Sequence, residues 1–206
     1  MKKKFTIKIF TINIVISFFF TSIFILLFYF FCNDKTTYYT SLINTTANKT
    51  NSNTIRNAEY NGGRIIKYPA YGTKYGTIKI DSIDLSLPLY YGDSLKILRY
   101  GVGNNAGSYM PGEGGSVILA AHNNVGFFHN LDKVKVGDEI IIETNYGTFN
   151  YTVDNYKVVK ETDLDAFPIT KEKEMLVLYT CYPIREAWIG RKTQRYVVYA
   201  YRAGEK

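Results

Sequence analysis

After Lys8 the chain runs for twenty-four residues, "IFTINIVISFFFTSIFILLFYFFC", without a charge. A helix needs about twenty predominantly apolar residues to cross the hydrocarbon core of a bilayer. The run is apolar all round and ends in bulky aromatics rather than the small residues of a cleavage site, so it reads as an uncleaved membrane anchor. Lys2, Lys3, Lys4 and Lys8 precede it, and basic flanks stay cytoplasmic. Everything after Asn33 is then expected on the extracellular face. Whatever chemistry the chain performs must fit into the remainder.

The formal net charge of +7 suggests at first a nucleic-acid or anionic-surface partner. Its distribution argues otherwise. Residues 1–74 hold ten Lys/Arg against two acidic residues, whereas residues 75–206 hold fifteen against sixteen. A near-neutral folded part without a basic stripe does not support nucleic-acid binding. Residues 33–74 are rich in Asn and Thr with little hydrophobic periodicity, and are expected to form a tether. The chain thus divides into an anchor (1–32), a tether (33–74) and a folded domain (75–206).

In that domain the pattern becomes strand-like. "TIKID" and "DLSLPL" alternate, "DSLKILRYG" has short-helix spacing, and "SVILAA" is a continuous apolar run of buried-strand type. "EIIIET", "TFNYTVDNYKVV", "MLVLYT" and "RYVVYAY" follow, separated by turn signals such as "VGDE" and "NYGT". Seven or eight short strands point to an all-β barrel or sandwich with short peripheral helices.

Three residues stand at strand ends. Cys181 closes "MLVLYT", Arg195 opens "RYVVYAY", and His122 follows "SVILAA". If the first two strands pair antiparallel, Cys181 and Arg195 lie side by side. If "SVILAA" runs parallel to "MLVLYT", His122 joins them. Alone, each has a plainer reading: a core cysteine, a structural histidine, a solvated arginine. Together they suit a thiolate nucleophile, an acid/base partner and a fixed cation that stabilises an oxyanion. Cys32 closes the membrane segment and is a poor disulfide partner for Cys181.

Other motifs carry less. "GVGNNAG" is one residue off a dinucleotide fingerprint and does not follow a convincing strand, and "PGEGGS" lacks the ending of a phosphate loop; both read as turns. A zinc site of His122, His129 and Cys181 would lack a fourth ligand and face a repelling arginine.

These residues resemble the sortase family. "LVLYTC" is similar to its signature Thr-Leu-x-Thr-Cys, with Val177 where leucine is usual. "YMPGEGGSVILAAHNNVGFFHNLDKVKVGDEIII" looks like the stretch around the family's histidine, with Ala121-His122 in place of the usual Gly-His. "RYVVYA" matches the strand that opens on the family's arginine. The resemblance covers roughly residues 75–203 and implies an eight-stranded sortase-type barrel. It implies a cysteine transpeptidase that cleaves an LPxTG-like sorting signal between Thr and Gly and passes the acyl group to a peptidoglycan precursor or other envelope amine. Cys181 then corresponds to the nucleophile, His122 to the acid/base and Arg195 to the oxyanion or substrate-positioning group. His129 matches no catalytic position and reads as structural, while Arg185 and Arg191 rival Arg195 only if their loop folds back. "TCYP" and "RYVV" are most like class D. The short link between "NYKVV" and "MLVLY" leaves little room for the long helical insertion of class B enzymes. No second hydrophobic segment follows Ala203 and no lid motif precedes the barrel, which argues against class C. No cofactor is implied. Some relatives depend on calcium, for which Asp163, Asp165, Glu172 and Glu174 are the candidates, but these read more simply as a solvated loop. An anchored hydrolytic cysteine peptidase and a catalytically silent binding barrel are the alternatives.

Overall fold

The computed structural model describes residues 12–29, 58–185 and 192–204. The N-terminal lysines, Cys32, most of the expected tether and Arg191 lie outside them. Two compact units divide near Thr37. In the first, Ile12–Tyr29 forms an eighteen-residue helix free of charged residues. Two of its hydroxyls turn back onto the helix: Thr21 Oγ1 donates to the Ser17 carbonyl at 2.7 Å and Ser22 Oγ to that of Phe18 at 2.9 Å. Such bonds satisfy polar side chains where no water is at hand.

The described residues of the second unit form ten strands: β1 (Glu59–Asn61), β2 (Arg64–Lys67), β3 (Lys74–Ile80), β4 (Leu85–Tyr91), β5 (Val102–Asn104), β6 (Ser116–Ala120), β7 (Glu139–Thr144), β8 (Gly147–Lys160), β9 (Met175–Tyr182) and β10 (Gln194–Arg202). Eight of them close a barrel in the order β10-β8-β7-β3-β4-β5-β6-β9. The pairs β4–β5 and β6–β9 are parallel and the others antiparallel. Among the described residues of this unit, helical structure is limited to short 3-10 turns, at Asp81–Ile83, Phe128–Lys133 and Leu164–Ala166.

The apolar runs "SVILAA" and "MLVLYT" have a direct cause. Inward residues of β9 such as Leu176 and Leu178 join the barrel core with Ile78, Leu119, Ile142 and Tyr151. Outward residues Met175 and Val177 are covered as well, in a second cluster with Ile118, Val159, Ala166, Val197 and Tyr199. The cover is the β8–β9 connection, held where Tyr199 Oη donates to the Ala166 carbonyl at 2.8 Å and Phe167 meets Tyr179 edge-on at 4.9 Å. A strand buried on both faces has no polar side to alternate with.

Four expectations change. "DSLKILRYG" forms linked turns rather than a helix, with Leu98 N–H bonded to Ser94 O but Ile97 and Tyr100 closing three-residue turns. "GVGNNAG" contains strand β5, where Gly103 is required by packing: a Cβ there would lie 2.5 Å from the Gly92 carbonyl oxygen. Part of the stretch expected as tether is folded, since β1 and β2 form a hairpin on the barrel. Tyr60 stacks on Tyr146 at 5.2 Å, and Tyr68 Oη donates to the Glu113 carboxylate at 2.9 Å. Tyrosines bury ring area while their hydroxyls find partners, a contribution that hydrophobic periodicity does not register.

The fourth is Glu174, expected in a solvated loop but wholly buried at the start of β9. Its carboxylate accepts from the Gly112 and Gly114 amides at 2.9 Å each, from Tyr151 Oη at 2.6 Å and from Arg202 Nη1 at 3.2 Å. The "PGEGGS" turn therefore does cradle an anion, and the anion is the protein's own side chain. Burial and Glu174 together raise the Tyr151 pKa well above its ordinary value, so this hydroxyl stays a donor. Asp165 and Glu172 are exposed, as a solvated loop requires.

Candidate active site

Both pairing conditions for convergence hold. β9 and β10 are antiparallel with Cys181 directly opposite Arg195. β6 and β9 are parallel, with Ala120 opposite Tyr179, and the Ala121 amide bonds to the Tyr179 carbonyl at 3.3 Å. His122, just past the end of β6, and Cys181, within β9, each stand two residues beyond that last pair. All three residues gather at the end of the barrel where β6 and β9 exit. The β1–β2 hairpin contacts the opposite end, around Gly112, Glu113 and Tyr146.

Two polar ties hold this rim. Thr180, one residue before the cysteine, points inward and donates to the Ala121 carbonyl at 2.8 Å, fixing the peptide that leads into His122. Asn123, one residue after the histidine, donates through Nδ2 to the Pro183 and Ile184 carbonyls at 3.2 and 3.3 Å. The turns after His122 and after Cys181 are thus joined from both sides. Thr180 had a signal in the signature; Asn123, in an unremarkable "AHNN", had none. Counted back from Cys181, the signature's leucine falls on Leu178 and its first threonine is replaced by Val177, which packs in the outer apolar cluster.

His122 is half-buried and meets Phe127 edge-to-face at 6.0 Å. Burial, helped by the positive charge of Arg99, lowers its pKa below the ordinary value of about 6.5. An NMR titration of the two histidines should place the His122 midpoint below 6.5, and Arg99→Gln should move it upward. A midpoint unmoved by the loss of Arg99 would show that this charge is not felt at the ring. The sign also sets a stability trend. As pH falls through about 6.5 the unfolded chain takes up a proton that the native His122 still refuses, so stability declines until the folded pKa is passed. His129 has a separate partner: its Nδ1 lies 3.2 Å from the Asn123 carbonyl oxygen.

The arginines differ in kind. Arg195 is about one-fifth exposed; its Nη1 donates to the Lys192 and Gln194 carbonyls at 2.8 Å each, and its Nη2 donates to Glu161 Oε2 at 2.7 Å. Arg185 is exposed, its fork closed on both carboxylate oxygens of Asp132. Among the described residues no group of three His, Cys, Asp or Glu side chains is placed to hold a metal ion.

Beside Arg195 opens a cleft of about 640 Å³, walled by Ile118, Leu164, Phe167, Ile169 and Tyr179, with Glu161 and Arg195 among its polar residues. Leu164 and Ile169 are 80% and 60% exposed, apolar groups held out to solvent on the β8–β9 connection. Concave, largely apolar clefts with a few convergent polar groups are the usual form of ligand sites.

Comparison with known proteins bears on the family and the fold. The sortase domain family model matches residues 78–203. Sortase D of Bacillus subtilis (strain 168) is 32% identical over 134 residues, 65% of this chain and 66% of that protein, so the chain spans just under two thirds of its length. The structure of a Clostridium perfringens Sortase D5 transpeptidase superposes with a TM-score of 0.57 at 28% identity, covering 65% of this chain and 81% of that one. Sortase C from Clostridium perfringens SM101 gives a TM-score of 0.56 at 34% identity, over 65% and 71%.

Proposed function

This chain belongs to the sortase family, whose members are cysteine transpeptidases, and on that premise we propose that it is a membrane-anchored transpeptidase acting through Cys181, His122 and Arg195. The observation that carries the reading is the register that sets Cys181 opposite Arg195, with the strand leading to His122 on the other side of β9. The substrate is an LPxTG-like sorting signal cut between Thr and Gly. The apolar walls of the cleft beside Arg195 suit the leucine and proline of such a signal.

The chemistry runs in two balanced halves. The Cys181 thiolate adds to the threonine carbonyl carbon, and the displaced electron pair rests on oxygen, where the Arg195 guanidinium donates hydrogen bonds. Collapse breaks the C–N bond; the His122 imidazolium gives its proton to the departing glycine nitrogen, leaving a thioester on Cys181. An envelope amine then adds to the thioester carbonyl, His122 takes the amine's proton, and the thiolate departs. A hydrolase would complete the second half with water instead.

Intact-protein mass spectrometry tests this. The full chain in detergent, mixed with a panel of LPxTG-like peptides, should gain the mass of the acyl fragment. Added amine should convert that adduct to a transfer product faster than water clears it. No adduct with any peptide of the panel would overturn the reading, and clearance that ignores the amine would make the chain a peptidase.

The apolar helix Ile12–Tyr29 and the lysines before it support the placement: one pass, catalytic barrel on the extracellular face, residues 1–32 as anchor. Protease added to intact, wall-stripped cells should release the barrel. A barrel cut only after lysis would reverse the orientation.

A further inference from the structure

Arg195 lies between two different neighbours on the outer face of the barrel. On one side β9 sets Cys181 directly opposite it. On the other, β8 sets Val159 opposite, and the bond from the Glu161 amide to the Thr193 carbonyl, 2.8 Å, carries the β8–β10 pairing one step further. Glu161 is two residues on from Val159, so it shares that face and sits diagonal to the arginine. Carboxylate, guanidinium and thiol form a row across three adjacent strands.

We propose that Glu161 is a positioning residue for Arg195: its carboxylate, together with the carbonyls of Lys192 and Gln194, sets where the guanidinium stands beside Cys181. Arginine carries five N–H donors on a long, flexible stem. Unheld, it would sample many orientations in the open cleft. The three described bonds use three of those donors and leave two for a substrate oxygen. Both members of the ion pair are less than one-fifth exposed, so salt screens the pair only weakly. The contrast is Arg185–Asp132, whose arginine side chain is 44% exposed and which does not line the cleft. Glu161 touches no reacting atom in this scheme; it acts only through Arg195. The inference rests on the catalytic reading above and deepens it.

The test is a double-mutant cycle on single-turnover thioester formation, using the full chain and an LPxTG-type peptide. Glu161→Ala should slow acylation by about 10- to 100-fold, the scale expected when a reacting group is misplaced by about an ångström. Peptide KM should stay within about threefold, because the cleft walls are intact. Glu161→Gln should recover most of the rate, since its amide oxygen can still accept from Nη2. In an Arg195→Ala background Glu161→Ala should add nothing further, the signature of two residues acting as one unit. A wild-type rate for Glu161→Ala overturns the proposal. So does a full, multiplicative loss in the Arg195→Ala background, or a defect confined to KM, which would make Glu161 a substrate contact. Failure of the catalytic reading looks different: there the wild type forms no thioester, or Arg195→Ala acylates normally.

Discussion

Cys181→Ala is expected to abolish both peptide cleavage and the covalent adduct, with the barrel still folded. The side chain is partly exposed at the end of β9, so removing its sulfur takes no group from the core. No other described cysteine can replace it. Arg195→Ala should follow the same direction by degree, slowing thioester formation by about 10²–10³-fold, or about 2.7–4 kcal/mol, as for a lost oxyanion-hole donor. Arg195→Lys should rescue only part of this, because a point charge does not reproduce the fork. Arg185→Ala should stay within severalfold of wild type, since that guanidinium is engaged with Asp132. Single-turnover mass spectrometry on the four variants, each checked by circular dichroism, decides the matter. A normal acylation rate in Arg195→Ala with failure in Arg185→Ala would move the cation to the loop, and an adduct on Cys181→Ala would remove the nucleophile.

The second large effect is on stability. Glu174→Ala should destabilise the barrel by about 3–5 kcal/mol, the cost of breaking a buried ionic network from one side. Four donors converge on this carboxylate from the turn before β6, from β8 and from β10. Alanine leaves a cavity and strands the two glycine amides, the Tyr151 hydroxyl and one bond of Arg202. Glu174→Gln should lose less, because it fills the space, yet its amide nitrogen must face a donor. Urea unfolding followed by near-ultraviolet circular dichroism gives the comparison. Equal midpoints for wild type and Glu174→Ala would mean that the network contributes nothing net. The expected position of the damage is informative too: it lies at the barrel end where β6 and β9 begin, remote from Cys181.

How much of this was legible before any coordinates depends on the range of each interaction. The apolar helix Ile12–Tyr29 is legible because hydropathy belongs to each residue of a contiguous run. The strands are legible because burial on one or both faces leaves a period of two or none. Cys181 and Arg195 could be placed together on the condition that two neighbouring strands pair antiparallel, and motif order supplied their roles by resemblance. The parallel pairing of β6 with β9, which brings His122 to the same rim, joins residues more than fifty positions apart. Nothing local in either strand encodes that choice; closure of the barrel does.

Other features were decided by tertiary structure alone. The β1–β2 hairpin reads as tether in the sequence because its few apolar residues show no period, yet tyrosine stacking and Tyr68–Glu113 hold it on the barrel. Glu174 reads as a loop acid because carboxylates are usually solvated, and only the fold gathers four donors around it. Glu161 carries no motif at all; it becomes Arg195's partner because antiparallel pairing brings the end of β8 to the start of β10. The sequence by itself therefore determined the class of fold and the apolar helix, and pointed to the three candidate groups, since these follow from periodicity, length and residue chemistry. Where the charges meet was settled by strand order, because an ion pair depends on a distance between segments that hydrophobic pattern leaves unspecified.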